Sequence, residues 1–178
     1  MPLSPVYHGA PPERRSDPEQ ACYDALAALS IPFDRVDHDA AFTMDDCAVI
    51  SDALHVHICK NLLLTPRNRS AFYLLCMPED KPFSTKDFSK LVGSTRLSFA
   101  APEDMAALLH TAPGSASLLG LLFDTDHRVT LAMDRTVAQA EWFGCHPCRN
   151  TSSLRLRTAD VLEKLLPHTG HTPILVDL

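Results

Sequence analysis

The sequence predicts a single α+β domain with a central mixed, mostly antiparallel sheet flanked by helices. The chain has 178 residues, of which 46% are hydrophobic and 21% charged. This is enough for one compact core without a metal or disulfides. Short strand-like runs alternate with short helical patterns, and turn formers between neighbouring runs favour hairpins over the crossovers of a doubly wound sheet. The sequence has no internal repeat.

The sequence predicts neither a signal peptide nor a membrane-spanning segment. Residues 1–17 are rich in Pro and Gly and lack the basic start and apolar run of a signal peptide, so we expect a flexible arm before a domain at 18–178. The longest apolar stretches, 58–64 and 118–123, are too short to cross a bilayer. We therefore expect a cytoplasmic protein without a membrane partner.

The first elements are a helix, a strand and a second helix. Asp17 followed by Pro18 supplies an N-cap and a proline at the first helical position. A short extended run at 33–38 follows a proline that ends this helix. Thr43 then gives a capping-box-like start to a second helix near 44–53.

The middle of the chain predicts a hairpin and two further helices. The apolar runs 56–64 and 70–76 flank a turn-forming segment, which indicates paired strands. A serine caps a predicted helix at 84–91, and a short extended segment at 96–100 precedes a helix at 102–110 that opens with proline.

The last third of the chain is also predicted to form short strands and helices. Residues 121–123 and 129–133 are predicted to form a second hairpin. The remaining predicted elements, in chain order, are a loop at 111–119, a helix near 137–141, a loop at 144–150, a strand at 152–156, a helix at 158–166 and a strand at 173–176.

Charge and cysteine content limit the possible functions. Sixteen basic against 22 acidic residues give a net charge of −6, which disfavours a general nucleic-acid binder. A few clustered cations can still dominate locally, so an enzyme that contacts only the end of an RNA remains compatible. In a reducing cytosol the cysteines are expected to be free thiols. They are Cys22, Cys47, Cys59, Cys76, Cys145 and Cys148.

Several segments in order resemble the prolyl-tRNA-synthetase-associated editing domains, which have the YbaK-like fold, and among them the freestanding prolyl-tRNA deacylases. The segments that carry the resemblance are Lys60-Asn61-Leu62-Leu63-Leu64, Arg96-Leu97-Ser98-Phe99-Ala100, Pro113-Gly114-Ser115, His146-Pro147 with Asn150, and Gly170-His171-Thr172-Pro173-Ile174. They span nearly all of the chain after the arm. Two positions depart from the family pattern: Leu118 stands where a proline often closes the glycine loop, and Ile58-Cys59 replaces a common His-Thr.

The resemblance implies a trans-editing enzyme that removes a wrongly attached small amino acid, alanine before others, from tRNA(Pro). Its partners would be the tRNA acceptor end and a prolyl-tRNA synthetase, and it implies neither a cofactor nor a metal. An aminoacyl ester is already activated, so positioning and oxyanion stabilisation can suffice without a protein nucleophile. In agreement, the sequence lacks a Gly-x-Ser-x-Gly elbow, a His-Glu-x-x-His motif and a Walker loop.

The resemblance assigns catalytic roles to Lys60, Gly114 and His146. Spacing alone favours a lysine at position 60 that extends into solvent. The resemblance favours the other interpretation, because an ammonium in this apolar strand is costly to bury unless it meets an anion such as a tRNA phosphate. Gly114 lets the backbone approach the aminoacyl group closely, or simply forms a Pro-Gly turn. His146 could orient the ribose or ester, or be an ordinary surface histidine.

Four further residues are predicted to bind substrate. Asn61 and Ser115 lie beside the catalytic candidates in the family segments, and Asn150 would fix the histidine loop as the resemblance implies. Phe42 is predicted to form a wall of the pocket for the amino-acid side chain.

Two other functions stay open at this point. Cys145 and Cys148 form a Cys-x-x-Cys pair that suits zinc or dithiol chemistry, although structural zinc usually needs a second pair and His55 and His57 are distant in sequence. A non-catalytic module that binds tRNA or a synthetase is the other alternative, consistent with the substituted loop residue Leu118.

Overall fold

The computed structural model describes residues 1–41 and 44–178, and its strands form two sheets. The strands are β1 (Tyr7–His8), β2 (Phe33–Asp37), β3 (Lys60–Pro66), β4 (Phe72–Met77), β5 (Leu97–Phe99), β6 (Val129–Asp134), β7 (Trp142–Cys145), β8 (Ser152–Arg157) and β9 (Ile174–Val176). The four-stranded sheet has the order β1-β2-β8-β7 and is antiparallel throughout. The five-stranded sheet has the order β5-β3-β4-β6-β9, with parallel pairing only at β4-β6 and β6-β9. The predicted α+β class and its mostly antiparallel pairing are confirmed, and the strands divide between two sheets.

Short helices surround these sheets. They are α1 (Asp17–Ala28), α2 (Met44–Leu54), α3 (Thr85–Leu91), α4 (Pro102–Leu109), α5 (Arg135–Gln139), α6 (Thr158–Asp160) and α7 (Leu166–Thr169), with a single π-helical turn at Val161–Leu165 between the last two. Pro102 opens α4 as expected, whereas α1 begins one residue earlier than predicted, with Ser16 at its N-cap position and Pro18 in its first turn. The Ser84 hydroxyl accepts a hydrogen bond from the Asp87 N–H at the start of α3. Among the described residues, no helix is long and apolar enough to cross a membrane.

The N-terminal segment contributes a short edge strand. Tyr7 and His8 pair with Arg35 and Asp34 of β2, and Leu3 forms an isolated bridge with His38. Part of the expected arm is therefore attached to the four-stranded sheet, while the flexibility of the arm stays a prediction.

The second predicted hairpin is wrong. Leu118–Phe123 forms a 3₁₀ helix whose start is capped by the Ser117 hydroxyl, and β6 pairs in parallel with β4. The apolar run 121–123 is too short for its period to distinguish a strand from a helical turn. Leu118, Leu119 and Leu121 are buried, whereas Leu122 and Phe123 are partly buried. Residues 142–145, partly predicted as loop, form strand β7.

The two sheets are joined at one point that also positions the start of β3. Ile58 forms a parallel bridge with Gly144 of β7, and the Cys59 N–H donates to the Gly144 carbonyl at 2.9 Å. A Cβ added at Gly144 would lie 2.5 Å from the carbonyl oxygen of His57, so only glycine allows the two backbones to approach this closely. Lys60 therefore begins its strand at a fixed distance from β7.

Candidate functional site

A cavity of about 450 Å³ lies where β3 meets the loops after α4 and β7. It collects all three predicted catalytic residues and one of the predicted substrate-binding residues: Lys60, Gly114, His146 and Asn61. The rest of its wall is largely apolar and includes Ile58, Met105 and Ala116. Lys60 and His146, which are 86 positions apart in sequence, thus face one space, as expected for a binding site with a few polar groups in an apolar wall.

One wall of the cavity is an uncovered strand edge. β5 pairs with residues 64–66 of β3 only, and the Leu63 carbonyl accepts a last hydrogen bond from the Ala100 N–H at 2.9 Å. The N–H and C=O groups of alternate strand residues point to the same side. The main-chain groups of Asn61 therefore point away from β4 into the gap that β5 leaves, where they can bind a ligand.

Lys60 extends its ammonium across the end of the five-stranded sheet. Its Nζ donates to the carbonyl oxygens of Glu79 at 3.3 Å and of Lys81 at 3.1 Å, and the side chain is half-buried. An ammonium has three donors, so one remains for an anion in the cavity. The Glu79 carboxylate also lines the cavity and contacts His57 Nδ1 at 3.3 Å. Lys60 thus holds the loop that contains residues 79 and 81 and places a positive charge at the cavity wall.

Asn61 has one satisfied and one unsatisfied side-chain group. Its Nδ2 donates to the Cys59 carbonyl at 3.2 Å, whereas its Oδ1 is buried without a hydrogen-bond partner in the described part of the chain. Leaving a buried acceptor unsatisfied costs about 1–3 kcal/mol. A donor on a bound molecule, such as an ammonium or hydroxyl group, would remove that cost.

The protonation state of His146 is fixed by its surroundings. Burial lowers its pKa from 6.5 to about 4, and the neighbouring His38 adds to that shift, while the hydrogen bond to the Ser152 carbonyl opposes it. His146 Nδ1 lies 3.0 Å from the Ser152 carbonyl oxygen. Since a carbonyl only accepts, Nδ1 carries the proton of the neutral ring and Nε2 is left as an acceptor.

A hydrogen-bonded chain behind His146 supports the same tautomer. His38 Nδ1 donates to the Asp39 carbonyl at 2.7 Å, so its Nε2 accepts from the Ser153 hydroxyl at 2.9 Å. The Ser153 oxygen can then accept from His146 Nδ1, 3.1 Å away. With these assignments, each hydrogen bond in the series has one donor and one acceptor. Ser153 and His38 therefore orient the imidazole from β8 and from the end of β2.

The glycine loop is held against the histidine loop. Gly114 has a φ of +83°, a left-handed conformation that glycine adopts at little cost. The Ser115 hydroxyl bonds to the N–H and C=O of Ala112, so it stabilises the turn and lies outside the cavity wall. The buried Ser117 hydroxyl donates to the His146 carbonyl at 2.5 Å. This bond links the two loops, and substrate binding by Ser115 stays a prediction.

The last two predicted substrate-binding residues are Asn150 and Phe42. The Asn150 Nδ2 donates to the Ala41 carbonyl at 3.2 Å and lies 3.7 Å from the position of a Cβ at Gly114. Asn150 thus lies beside the glycine loop, and its role in fixing the histidine loop or binding substrate stays a prediction. Phe42 lies outside the described residues.

The described geometry can be compared with known proteins. A family model described as the aminoacyl-tRNA editing domain matches residues 38–164, which contain every cavity residue named above. The chain belongs to the aminoacyl-tRNA editing domain family. Within it, the fold is of the YbaK and ProX type that the sequence resemblance predicted.

Relatives and solved structures agree with this assignment. The chain is 30% identical over 156 residues to prolyl-tRNA synthetase associated domain-containing protein 1 of Bos taurus, covering 85% of this chain and 90% of that protein. It is 28% identical over 162 residues to prolyl-tRNA editing protein ProX of Acetoanaerobium sticklandii, covering 91% and 98%. A crystal structure provisionally described as a trans-editing enzyme for prolyl tRNA synthetase superposes with a TM-score of 0.67 at 17% identity, covering 93% and 98%. That structure supports the fold.

The two cysteines of the Cys-x-x-Cys pair are core thiols, whereas Cys47 and Cys59 are partly buried and line the cavity. Cys145 and Cys148 are fully buried, and Cys148 Sγ lies 3.6 Å from Cys22 Sγ. Burial raises the pKa of the Cys145 thiol well above its usual value, which disfavours the thiolate that metal binding and thiol chemistry require. Within the described residues, no group of three or more His, Cys, Asp or Glu side chains could hold a metal ion.

Sequence reasoning missed the residues that support the editing-domain site. Ser117 contacts a loop 29 residues away, and Ser153 contacts His38 from 115 residues away. Their spacing in sequence carries no signal of these contacts. The one available hint was that Ser153 falls within the predicted strand 152–156, three residues after Asn150.

Proposed function

We propose that this chain is a trans-editing aminoacyl-tRNA deacylase that hydrolyses mischarged tRNA(Pro), with alanyl-tRNA(Pro) as its main substrate. The observation that carries the proposal is the convergence of Lys60, Asn61, Gly114 and His146 on one cavity at the open edge of β3. The names of the two relatives, one a prolyl-tRNA editing protein and one a prolyl-tRNA synthetase associated protein, support the substrate class. Its partners would be the tRNA acceptor end and a prolyl-tRNA synthetase.

In this mechanism the protein positions an ester that is already reactive. The third N–H of Lys60 binds a phosphate of the tRNA 3′ end as a charge-assisted hydrogen bond. Asn61 Oδ1 accepts a hydrogen bond from the α-ammonium group of the amino acid, which satisfies the buried acceptor. The backbone at Gly114, free of a side chain, lies against the acyl group, and the Gly114 N–H donates to the developing oxyanion.

His146 acts through its unprotonated Nε2. The neutral ring can accept a hydrogen bond from a ribose hydroxyl or from the attacking water, because its Nδ1 proton is held by the Ser152 carbonyl. Water adds to the ester carbonyl carbon, the bond to the ribose oxygen breaks, and that oxygen takes up a proton. The products are the free amino acid and uncharged tRNA. No protein nucleophile is required.

The test is single-turnover deacylation of alanyl-, seryl-, threonyl- and prolyl-tRNA prepared on one tRNA(Pro) transcript. We expect the alanyl ester to be hydrolysed well above the uncatalysed rate, and a His146→Ala variant to lose most of that rate. Tight binding of these tRNAs with no acceleration would instead identify a non-catalytic binding module. A preference for seryl- or threonyl-tRNA would keep the deacylase activity and change its substrate.

A further inference from the structure

Phe99 is the most exposed large apolar side chain that the structure describes. It is 60% exposed, compared with 36–46% for the others of this class. Isolated exposed apolar residues are common and by themselves indicate nothing. Phe99 differs in its position, because its side chain lines the same cavity as Lys60 and His146.

The ring of Phe99 is supported on one side. It packs against Phe83 with ring centroids 6.1 Å apart, and Phe83 in turn packs at 6.0 Å against Phe88, which is fully buried in the core under the five-stranded sheet. The support fixes an aromatic surface at low conformational cost, while more than half of the side chain remains open to solvent. A rigid ring with a free surface is suited to stacking.

The position of Phe99 relative to Lys60 suits a nucleotide chain. Phe99 pairs with Leu64 across β5 and β3, and paired residues lie on the same face of a sheet. Lys60 lies on that face too, four residues earlier, or about 13 Å along the strand. Leu62 lies between them and also lines the cavity. A cation and an aromatic ring therefore flank one continuous wall.

We propose that Phe99 is a stacking platform for the terminal base of the tRNA, the adenine of the nucleoside that carries the amino acid. The inference rests on the proposed function, which requires the aminoacyl group to lie inside the cavity near Gly114 and His146. Because Phe99 is largely exposed, it contacts the part of the substrate that leads out of the cavity. That part is an unpaired nucleoside, whose base offers two free π faces for stacking on an aromatic side chain.

Because the protein has a negative net charge, base stacking should contribute a larger share of its binding to tRNA. A net charge of −6 gives little general attraction for RNA. Stacking on a neutral ring does not depend on phosphate neutralisation, so it can hold the acceptor end where long-range electrostatics cannot.

The experiment is a double-mutant cycle between Phe99 and the base. The substrates are an alanyl-tRNA(Pro) minihelix with its terminal adenosine and the same minihelix with an abasic terminal ribose. With the adenosine substrate, Phe99→Ala should lower the single-turnover kcat/KM roughly 5- to 100-fold, the range expected for one lost base stack, and Phe99→Trp should retain the rate. With the abasic substrate, wild type and Phe99→Ala should have equal rates.

The control is Leu91→Ala, which removes another exposed apolar side chain (46% exposed) away from the cavity and should leave both rates unchanged. An equal loss on both substrates, or no loss on either, would overturn the stacking assignment. A binding measurement separates this outcome from failure of the proposed function. A minihelix with terminal 2-aminopurine and an amide-linked alanine cannot be deacylated, and its fluorescence should be quenched by wild type and much less by Phe99→Ala even if the protein has no hydrolytic activity.

Discussion

At the scale of single residues, Lys60 combines a structural role with the binding role that we propose. Its ammonium donates to two loop carbonyls, at residues 79 and 81, so its removal affects that loop as well as any ligand. Replacement by alanine would confuse the two effects. The variant Lys60→Met keeps most of the apolar stem and removes the charge.

We expect Lys60→Met to lower deacylation of alanyl-tRNA(Pro) roughly tenfold to hundredfold, since a charge-assisted hydrogen bond contributes about 1.5–3 kcal/mol. Single-turnover rates measure the effect, and thermal unfolding checks that the variant is folded. Lys60→Arg should retain part of the rate, and Lys90→Met, which removes a surface lysine of α3, should retain all of it. Full activity of folded Lys60→Met would exclude the phosphate contact.

His146 makes the pH dependence of the reaction diagnostic. In the proposed mechanism the neutral ring is the active form, and burial lowers its pKa to about 4. Catalysis, corrected for the spontaneous hydrolysis of the ester, should therefore be unaffected by this group from pH 8 down to about pH 5 and should fall as the pH approaches 4. A decline centred near 6.5, the usual value for histidine, would show that the ring is not desolvated in this way.

The same shift has a consequence for stability. Between pH 6.5 and about 4 the unfolded chain binds a proton at this residue that the folded chain does not, so the His146 contribution to the free energy of unfolding is complete above 6.5 and is lost as the pH falls through that window. His146→Asn, which has no titrating group, should lack this component in urea titrations at pH 7 and 4.5.

At the scale of elements, the junction of the two sheets determines where β3 begins. Gly144 accepts from the Cys59 N–H, and its missing side chain leaves room for the His57 carbonyl. Gly144→Ala forces a Cβ to within 2.5 Å of that oxygen. The backbone at 57–59 must move, and the start of β3 with it.

We expect Gly144→Ala to lower the free energy of unfolding by about 1–3 kcal/mol, the usual cost of overpacking, and to reduce deacylation more than this loss of stability explains. Urea unfolding and single-turnover rates measure the two effects. The control is Gly93→Ala, whose added Cβ would meet no atom within 4 Å and which should cost stability through its left-handed φ of +65° without changing the rate of the folded protein. Unchanged stability of Gly144→Ala would contradict the close contact.

The elements also show what the sequence could predict. Helices with clear caps, such as α3 after Ser84 and α4 with its proline, were located to within a residue or two, because their signals are local. The run 121–123 was assigned to the wrong element because three apolar residues fit a strand and a 3₁₀ turn equally. The division into two sheets depends on contacts such as Ile58 with Gly144, which no local pattern encodes.

The candidate site was predictable to the extent that its residues lie in family segments. Lys60, Asn61, Gly114 and His146 line the cavity as the resemblance led us to expect. Ser153 and Ser117 were not predicted because their roles arise only when separate loops meet. The tautomer of His146 follows from its contacts with the Ser152 carbonyl and the Ser153 hydroxyl, so it likewise could not be predicted from the sequence.

At the scale of the whole molecule, the proposed function makes this editing domain a second sieve for a synthetase. A pocket shaped for proline cannot strongly reject the smaller alanine, because a missing methylene costs only about 1–3 kcal/mol in binding. A smaller pocket in a separate protein can reject the larger proline by steric clash. The enzyme should thus hydrolyse alanyl-tRNA(Pro) much faster than prolyl-tRNA(Pro).

The volume of the cavity should determine this preference. Met105 of α4 lines the cavity, as does Ala116, and is 9% exposed. Met105→Ala would therefore enlarge the cavity. We expect this variant to raise the rate on prolyl-tRNA(Pro) relative to alanyl-tRNA(Pro), at a stability cost of about 2–5 kcal/mol for the buried side chain. Single-turnover rates on both esters, measured well below the unfolding temperature, give the ratio. Leu108→Ala removes a buried side chain of the same helix that does not line the cavity, so it should cost stability without changing the ratio. Equal rates on the two esters for the wild-type protein would contradict the sieve, because steric exclusion would then be absent from the site that is proposed to perform it.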